Sequence, residues 1–240
     1  TCREFLNLGP DDDGVWALYV GCLVQALRAE SQYPPLVLHG EHGSAKTTAA
    51  KIFRKLIDPN TSDLRSPPKN EENIRVQARN GWVLGYDNLS GVPDWLSDAL
   101  CRISTGGGMS TRQLYTNTDE VIFDGTRPIV LNSIEEIATK SDLTDRAVIL
   151  KLPPIPEANR LGDKELWQRF NAAHPYILGG LMDAVSRGLR NLAQVRLDRA
   201  PRMADFAKWA VACEPSFGVP EGTFLAAYKD NRDDANRSAI

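Results

Sequence analysis

The sequence contains no apolar run approaching the 18 or so residues that a membrane-spanning helix requires, and no N-terminal signal peptide is visible in it. Cysteine is scarce. Cys2, Cys22, Cys101 and Cys213 are widely separated and form no C-x-x-C pair, which argues against a zinc site or a disulfide framework. Buried-looking thiols of this kind suit a reducing cytosol, so the chain is expected to be cytoplasmic and to have no membrane partner. Histidine is scarcer still, with only His39, His42 and His174. His39 and His42 have a superficially ligand-like spacing, but both flank a glycine-containing segment and no metal role is expected for them. A strong charge of one sign is also missing. A net charge of −3 gives no support to a surface coated with nucleic acid, although it is compatible with a narrow basic channel, where only the local field matters. Internal repeats and low-complexity tracts are absent.

What is present is an ordinary globular composition, 42% hydrophobic and 25% charged over 240 residues, enough to bury a sizeable core. Trp16, Tyr19, Val20, Leu23, Val24 and Leu27 recur at helical spacing after Asp11-Asp12-Asp13-Gly14. Leu36-Val37-Leu38 reads as a strand, and a helix follows to Ile57. Residues 58–73 read as a polar, proline-rich surface loop. Short strands are expected at Ile74–Ala78, Trp82–Tyr86, Pro128–Leu131 and Ala147–Leu152, and a helix at Pro93–Ile103. Leu114-Tyr115 and Val121-Ile122-Phe123 flank turn residues and suggest a β-hairpin. Beyond residue 157 only helical spacing remains. These patterns predict an α/β fold, with residues 1–156 as a core around a mostly parallel sheet and 157–240 as a helical lid. The chain begins at Thr1 and is expected to be part of a longer protein with other domains.

The strongest motif is Gly40-Glu41-His42-Gly43-Ser44-Ala45-Lys46-Thr47, lying between the first strand and a helix. It follows the phosphate-binding pattern G-x-x-x-x-G-K-[ST], with Ala45 where glycine is usual. Backbone N–H groups from Gly40 to Thr48 and the helix N-terminus would hold the phosphates of ATP. Lys46 would reach the β- and γ-phosphates, and the Thr47 hydroxyl would bind Mg²⁺. A left-handed conformation at Ala45 would cost on the order of 1–2 kcal/mol. Asp87 closes an apolar strand and reads either as the second Mg²⁺ ligand or as a strand-ending turn residue. Asn88 follows it; an amide can orient a water but cannot act as a base. Glu41, Asp94 and Asp98 are the alternative carboxylates. Asn132, at another strand end, reads either as a contact to the γ-phosphate or to the attacking water, or as a strand-ending turn residue. Arg146 reads either as an arginine acting on a neighbouring subunit's nucleotide or as the partner of Asp142 or Asp145. Arg202 could act on the nucleotide from the lid, or it could be a solvated helix-end charge. Residues 186–202 carry five arginines against Asp198 alone, a stretch that reads either as a solvated helix face or as a face for nucleic acid or an acidic partner.

Taken in order, these elements resemble the AAA+ ATPases, and more narrowly the superfamily 3 helicases of viruses, phages and mobile elements, including the primase–helicase type. Gly40–Thr47, Asp87-Asn88, Asn132 and Arg146 stand at the family's Walker A, Walker B, sensor-1 and arginine-finger positions. The run Leu100–Tyr115, with Gly106-Gly107-Gly108 before Thr111-Arg112, resembles the insertion that carries a DNA-contacting hairpin. His174–Leu181 resembles a lid helix of the primase–helicase group. The resemblance implies an ATP- and Mg²⁺-dependent motor that forms a ring, expected to be a hexamer, and moves the 105–125 insertion along single-stranded DNA during replication of a phage or mobile element. Two departures point elsewhere: the hairpin tip Asn117-Thr118-Asp119-Glu120 is acidic, and Asn88 replaces the hydrolytic glutamate. They favour an alternative, a nucleotide-gated assembly module with slow or absent hydrolysis and a protein partner.

Overall fold

The computed structural model describes residues 2–9, 12–106, 109–112, 120–123, 125–134 and 140–238. Helix α1 (Asp13–Ala26) starts where the Asp12 side chain accepts from the Val15 N–H. It is buried continuously from Ala17 to Ala26, as expected of a helix that is apolar all round. Strand β1 (Leu36–His39) leads through the glycine loop into α2 (Lys46–Ile57).

Next comes α3 (Glu71–Asn80), capped by the Asn70 side chain on the Asn73 N–H. The strand expected at Ile74–Ala78 is therefore a helix. Ile74, Arg75 and Ala78 are buried on one helical face, a spacing that five residues read alone do not separate from a strand. The preceding loop is also more ordered than its composition suggests. Arg65 forms a parallel bridge with Tyr86: its N–H donates to Gly85 O at 2.9 Å, and its carbonyl accepts from the Asp87 N–H at 2.9 Å. Strand β2 (Leu84–Leu89) and α4 (Asp94–Thr105) follow. Strands β3 (Met109–Arg112) and β4 (Glu120–Phe123) pair antiparallel, with Met109 opposite Phe123 and Arg112 opposite Glu120. The expected hairpin is thus present, with its first strand ahead of Leu114-Tyr115; those two residues, Gly107, Gly108 and the tip 117–119 lie outside the described residues. The chain then runs through β5 (Ile129–Ser133), the short α5 (Ser141–Thr144) and β6 (Val148–Lys151). It ends in α6 (Asp163–Asn191), α7 (Ala204–Cys213) and α8 (Thr223–Ser238).

Among the described residues the main sheet has the order β2-β5-β1-β6, all parallel. Alternation along its strands separates two cores. Leu36, Leu38, Val130, Val148 and Leu150 face α1, α2 and the C-terminal helices. Val37, Ile129, Leu131, Leu84 and Tyr86 face α3 and α4. The first core runs without a break from Phe5 through α1 to Trp209, Phe224 and Tyr228, so packing crosses the expected boundary at 156. The Trp209 indole donates to Val24 O at 3.1 Å, tying α7 to α1. The C-terminal end of α2 is locked to the start of β2 in a similar way. Buried Arg54 reaches Val83 O and Asp58, and Asp58 accepts from the Trp82 and Val83 N–H groups at 2.8 and 2.9 Å. That lock sets the register of the strand that carries Asp87.

Candidate functional site

Parallel strands all point the same way, so β1, β2 and β5 deliver their C-terminal residues to one edge of the sheet. At that edge the loop 40–45 joins β1 to α2. Gly40 is required by a close approach: a Cβ there would lie 2.4 Å from the carbonyl oxygen of Leu152. Ala45 adopts the left-handed conformation, φ 62° and ψ 26°, directly before α2. Ser44 is fully buried and its hydroxyl donates to Glu41 O at 2.8 Å. The Lys46 ammonium folds back across the loop, donating to the carbonyls of Gly40 and Glu41, both at 2.7 Å. Partial burial pulls its pKa below the ordinary value, while the negative charge of Asp87 acts in the opposite direction.

Three side chains from three elements then meet. Thr47 Oγ1 donates to Asp87 Oδ1 at 3.1 Å. Asn132, buried at the end of β5, donates from Nδ2 to Thr47 Oγ1 at 3.4 Å and accepts the Asn88 N–H on Oδ1 at 2.6 Å. Asn132 thus couples the start of α2 to the end of β2. Asn88 is left-handed, with φ 56°, at the irregularity in the β2–β5 register, and its side chain is exposed. Asparagine is among the few residues for which that conformation is readily available.

Gly40 through Thr48, Asp87, Asn88 and Asn132 therefore form one constellation. Arg146 and Arg202 belong to a different one. Both reach Asp142: Arg146 pairs with its carboxylate and donates to its backbone oxygen at 2.9 Å, and Arg202 Nη2 lies 3.3 Å from Oδ1. Burial disfavours the charge on Asp142, but the Arg146 guanidinium outweighs this and holds its pKa below the ordinary value. Of the alternative carboxylates, Asp94 is taken by Lys140 at 2.9 Å, whereas Glu41 is exposed on the loop.

Two further residues enter the site without any motif to announce them. Asn7 donates from Nδ2 to Ser44 O at 3.2 Å and to Pro153 O, pinning the loop between the N-terminal segment and the chain after β6. Arg160 lies over Gly43, with Nη2 3.0 Å from where a Cβ would stand. Beside them is a cavity of about 440 Å³, lined by Phe5, Ala45, Thr48, Ile155, Leu161 and Leu166 among others. Each of these contacts joins segments far apart in the chain, so spacing carried no signal for them.

The family described as actinomycete integrative conjugative element replication protein matches residues 11–238, nearly the whole chain. The chain belongs to this family of replication proteins. Membership places it in the DNA replication of a mobile element. No curated protein matches it. Among solved structures, a JCV helicase bound to N-(4-(2-(thiazolo[5,4-c]pyridin-2-yl)phenoxy)phenyl)acetamide is similar at 11% identity over 99% of this chain and 70% of that one. The TM-score of 0.27 is too low to carry an argument about structure. For this replication protein the local geometry, not the neighbour, bears on chemistry. No described helix is long and apolar enough to cross a membrane.

Proposed function

We propose that this replication protein is an ATP-binding and ATP-hydrolysing motor core of the AAA+, superfamily 3 type, acting on DNA as a ring, expected to be a hexamer. The observation that carries the reading is the meeting of Thr47, Asp87 and Asn132 beside Lys46, at the sheet edge where a glycine loop opens a helix. The loop amides and the α2 N-terminus would hold the phosphates. Lys46 would leave the loop carbonyls for the β- and γ-phosphates. Thr47 and Asp87 offer the hard oxygens that Mg²⁺ selects, and the ion would neutralise charge on the phosphates. Among the described residues there is no cluster of three or more acidic, histidine or cysteine ligands, which fits an ion held chiefly by substrate and water. The adjoining cavity is apolar enough on one side to accept the base. Arg146 would act on the nucleotide of a neighbouring subunit after exchanging Asp142 for phosphate.

A second reading, a nucleotide-gated assembly module, is favoured by Asn88. Its exposed amide supplies no base, and its left-handed backbone disfavours a glutamate there by about 1 kcal/mol. ATP turnover by the purified chain, with and without single-stranded DNA, separates the two. The motor reading expects DNA-stimulated turnover that Arg146→Ala abolishes while ATP binding persists. Turnover unaffected by Arg146→Ala removes that arginine from the mechanism. ATP-dependent oligomerisation without turnover selects the assembly module. Lys46→Ala is expected to lose ATP affinity, and undiminished binding in that variant rules out the phosphate loop.

A further inference from the structure

We infer that Arg160 is a second cation of the nucleotide site, supplied within the same subunit by the segment after β6 and directed at the α/β end of the phosphate chain; this rests on the phosphate-loop reading above. Four observations support it. The guanidinium lies directly over Gly43, the middle of the loop, with Nη2 3.0 Å from the position a Cβ would take. Its Nε donates to Ile155 O at 3.2 Å, which holds the stem, and the residue lines the adjoining cavity. The segment that carries it is itself tied to the loop, because the Ile155 N–H donates to Gly43 O at 3.0 Å and Asn7 bridges Ser44 O to Pro153 O. Finally, none of the ion pairs found among the described residues involves Arg160, although Asp163 lines the same cavity.

An arginine held by its stem beside a row of backbone amides is arranged to take a phosphate oxygen bidentately. The side on which it stands decides which phosphate. Lys46, Thr47 and Asp87 occupy the β/γ end, where the metal and the lysine belong. Arg160 approaches from the cavity side, which is lined by Ala45 and Thr48, where the chain from phosphate to nucleoside must leave the loop. The same position gives the nucleoside cavity a polar rim next to its apolar wall of Ile155, Leu161 and Leu166.

The test is calorimetric binding of ATP, ADP and adenosine to the full chain, compared with Arg160→Gln, Arg160→Lys and Lys46→Ala. Arg160→Gln is expected to weaken ATP and ADP alike by roughly tenfold, the low end for a charge-assisted hydrogen bond at an exposed site, and to leave adenosine unchanged. Arg160→Lys should fall between Gln and the parent, because it keeps the charge and loses the fork. Arg160 is exposed, so the melting temperature of the free chain should not move. If Arg160→Gln binds ATP as the parent does while Lys46→Ala is weakened, the assignment of Arg160 is wrong and the loop reading stands. If adenosine weakens in the same ratio as ATP, Arg160 packs against the nucleoside and not the phosphates, which also overturns it. If the parent binds no nucleotide at all, both readings fall together.

Discussion

Two residues at the site hold backbone conformations that their neighbours impose. Ala45 sits at φ 62° where the phosphate-loop pattern ordinarily has glycine. The chain tolerates it because Asn7, Ser44 and the α2 N-terminus fix the loop on both sides. Relief of left-handed strain is worth about 1–2 kcal/mol, against about 0.4–1 kcal/mol of added unfolded-state freedom for glycine. Ala45→Gly is therefore expected to raise the unfolding free energy by about 0.5–1 kcal/mol, read as a shift in the urea midpoint at constant slope. A lower midpoint would mean that Ala45 makes a contact that outweighs the strain. At Asn88 the same conformation is met by a residue that accepts it readily. Its N–H is held by Asn132, so the peptide after Asp87 cannot rotate without breaking that bond. The pair thereby orients the carboxylate that faces Thr47. At Asp142, acid and base interact directly. Its depressed pKa means that the contact with Arg146 and Arg202 is fully present above the ordinary value of 3.8 and is lost as pH falls through the lower native value.

At the scale of elements, the approach of α6 to α7 is decided by one small residue. A Cβ at Gly188 would lie 2.3 Å from the Cys213 sulfur and 3.0 Å from the Trp209 ring. The two helices therefore sit closer than any other side chain permits. Gly188→Ala is expected to destabilise the protein by about 1–3 kcal/mol through overpacking, despite the better helix propensity of alanine. Adding Cys213→Ala should recover part of that loss, and thermal unfolding of the two single variants and the double variant checks it. Additive losses would place the strain elsewhere. Glu214, nearly fully buried, plays the complementary part by accepting from the Gly222 and Phe224 N–H groups at 3.0 and 2.6 Å, which sets where α8 begins.

At the scale of the whole molecule, α1 belongs physically with α7 and α8, although the glycine loop and a sheet separate them in sequence. Tyr19, Leu23 and Val24 of α1, Trp209 of α7, and Phe224 and Tyr228 of α8 share one core. A chain cut after residue 156 would leave the far face of α1 open to water, at about 25 cal/mol for each Å² of apolar surface exposed. That fragment is expected to show no cooperative thermal transition and to aggregate, whereas the intact chain should unfold in a single step. A fragment that melts sharply and stays monomeric would establish the C-terminal helices as a detachable lid.

The sequence by itself determined those features that depend on local order along the chain. The strand, loop, Lys46-Thr47 and helix come consecutively, and the apolar runs ending in Asp87 and Asn132 carry their own punctuation, so the parallel sheet and most of one site edge were legible from spacing. Even here five residues are too few to separate a helix from a strand, and the apolar spacing of Ile74–Ala78 in α3 suits both. Only the tertiary structure decided what depends on distant segments meeting. Asn132 bridges Thr47 to Asn88 because β5 lies between β1 and β2 in the sheet. Arg146 and Arg202 share Asp142 because α7 follows a long helix that carries the chain back to α5. Asn7 and Arg160 flank the loop only because the first and last parts of the α/β layer close over it. Periodicity records which face a residue turns to the core of its own element. It holds no record of which other element waits there, since that choice is made by shape and burial over the whole chain at once.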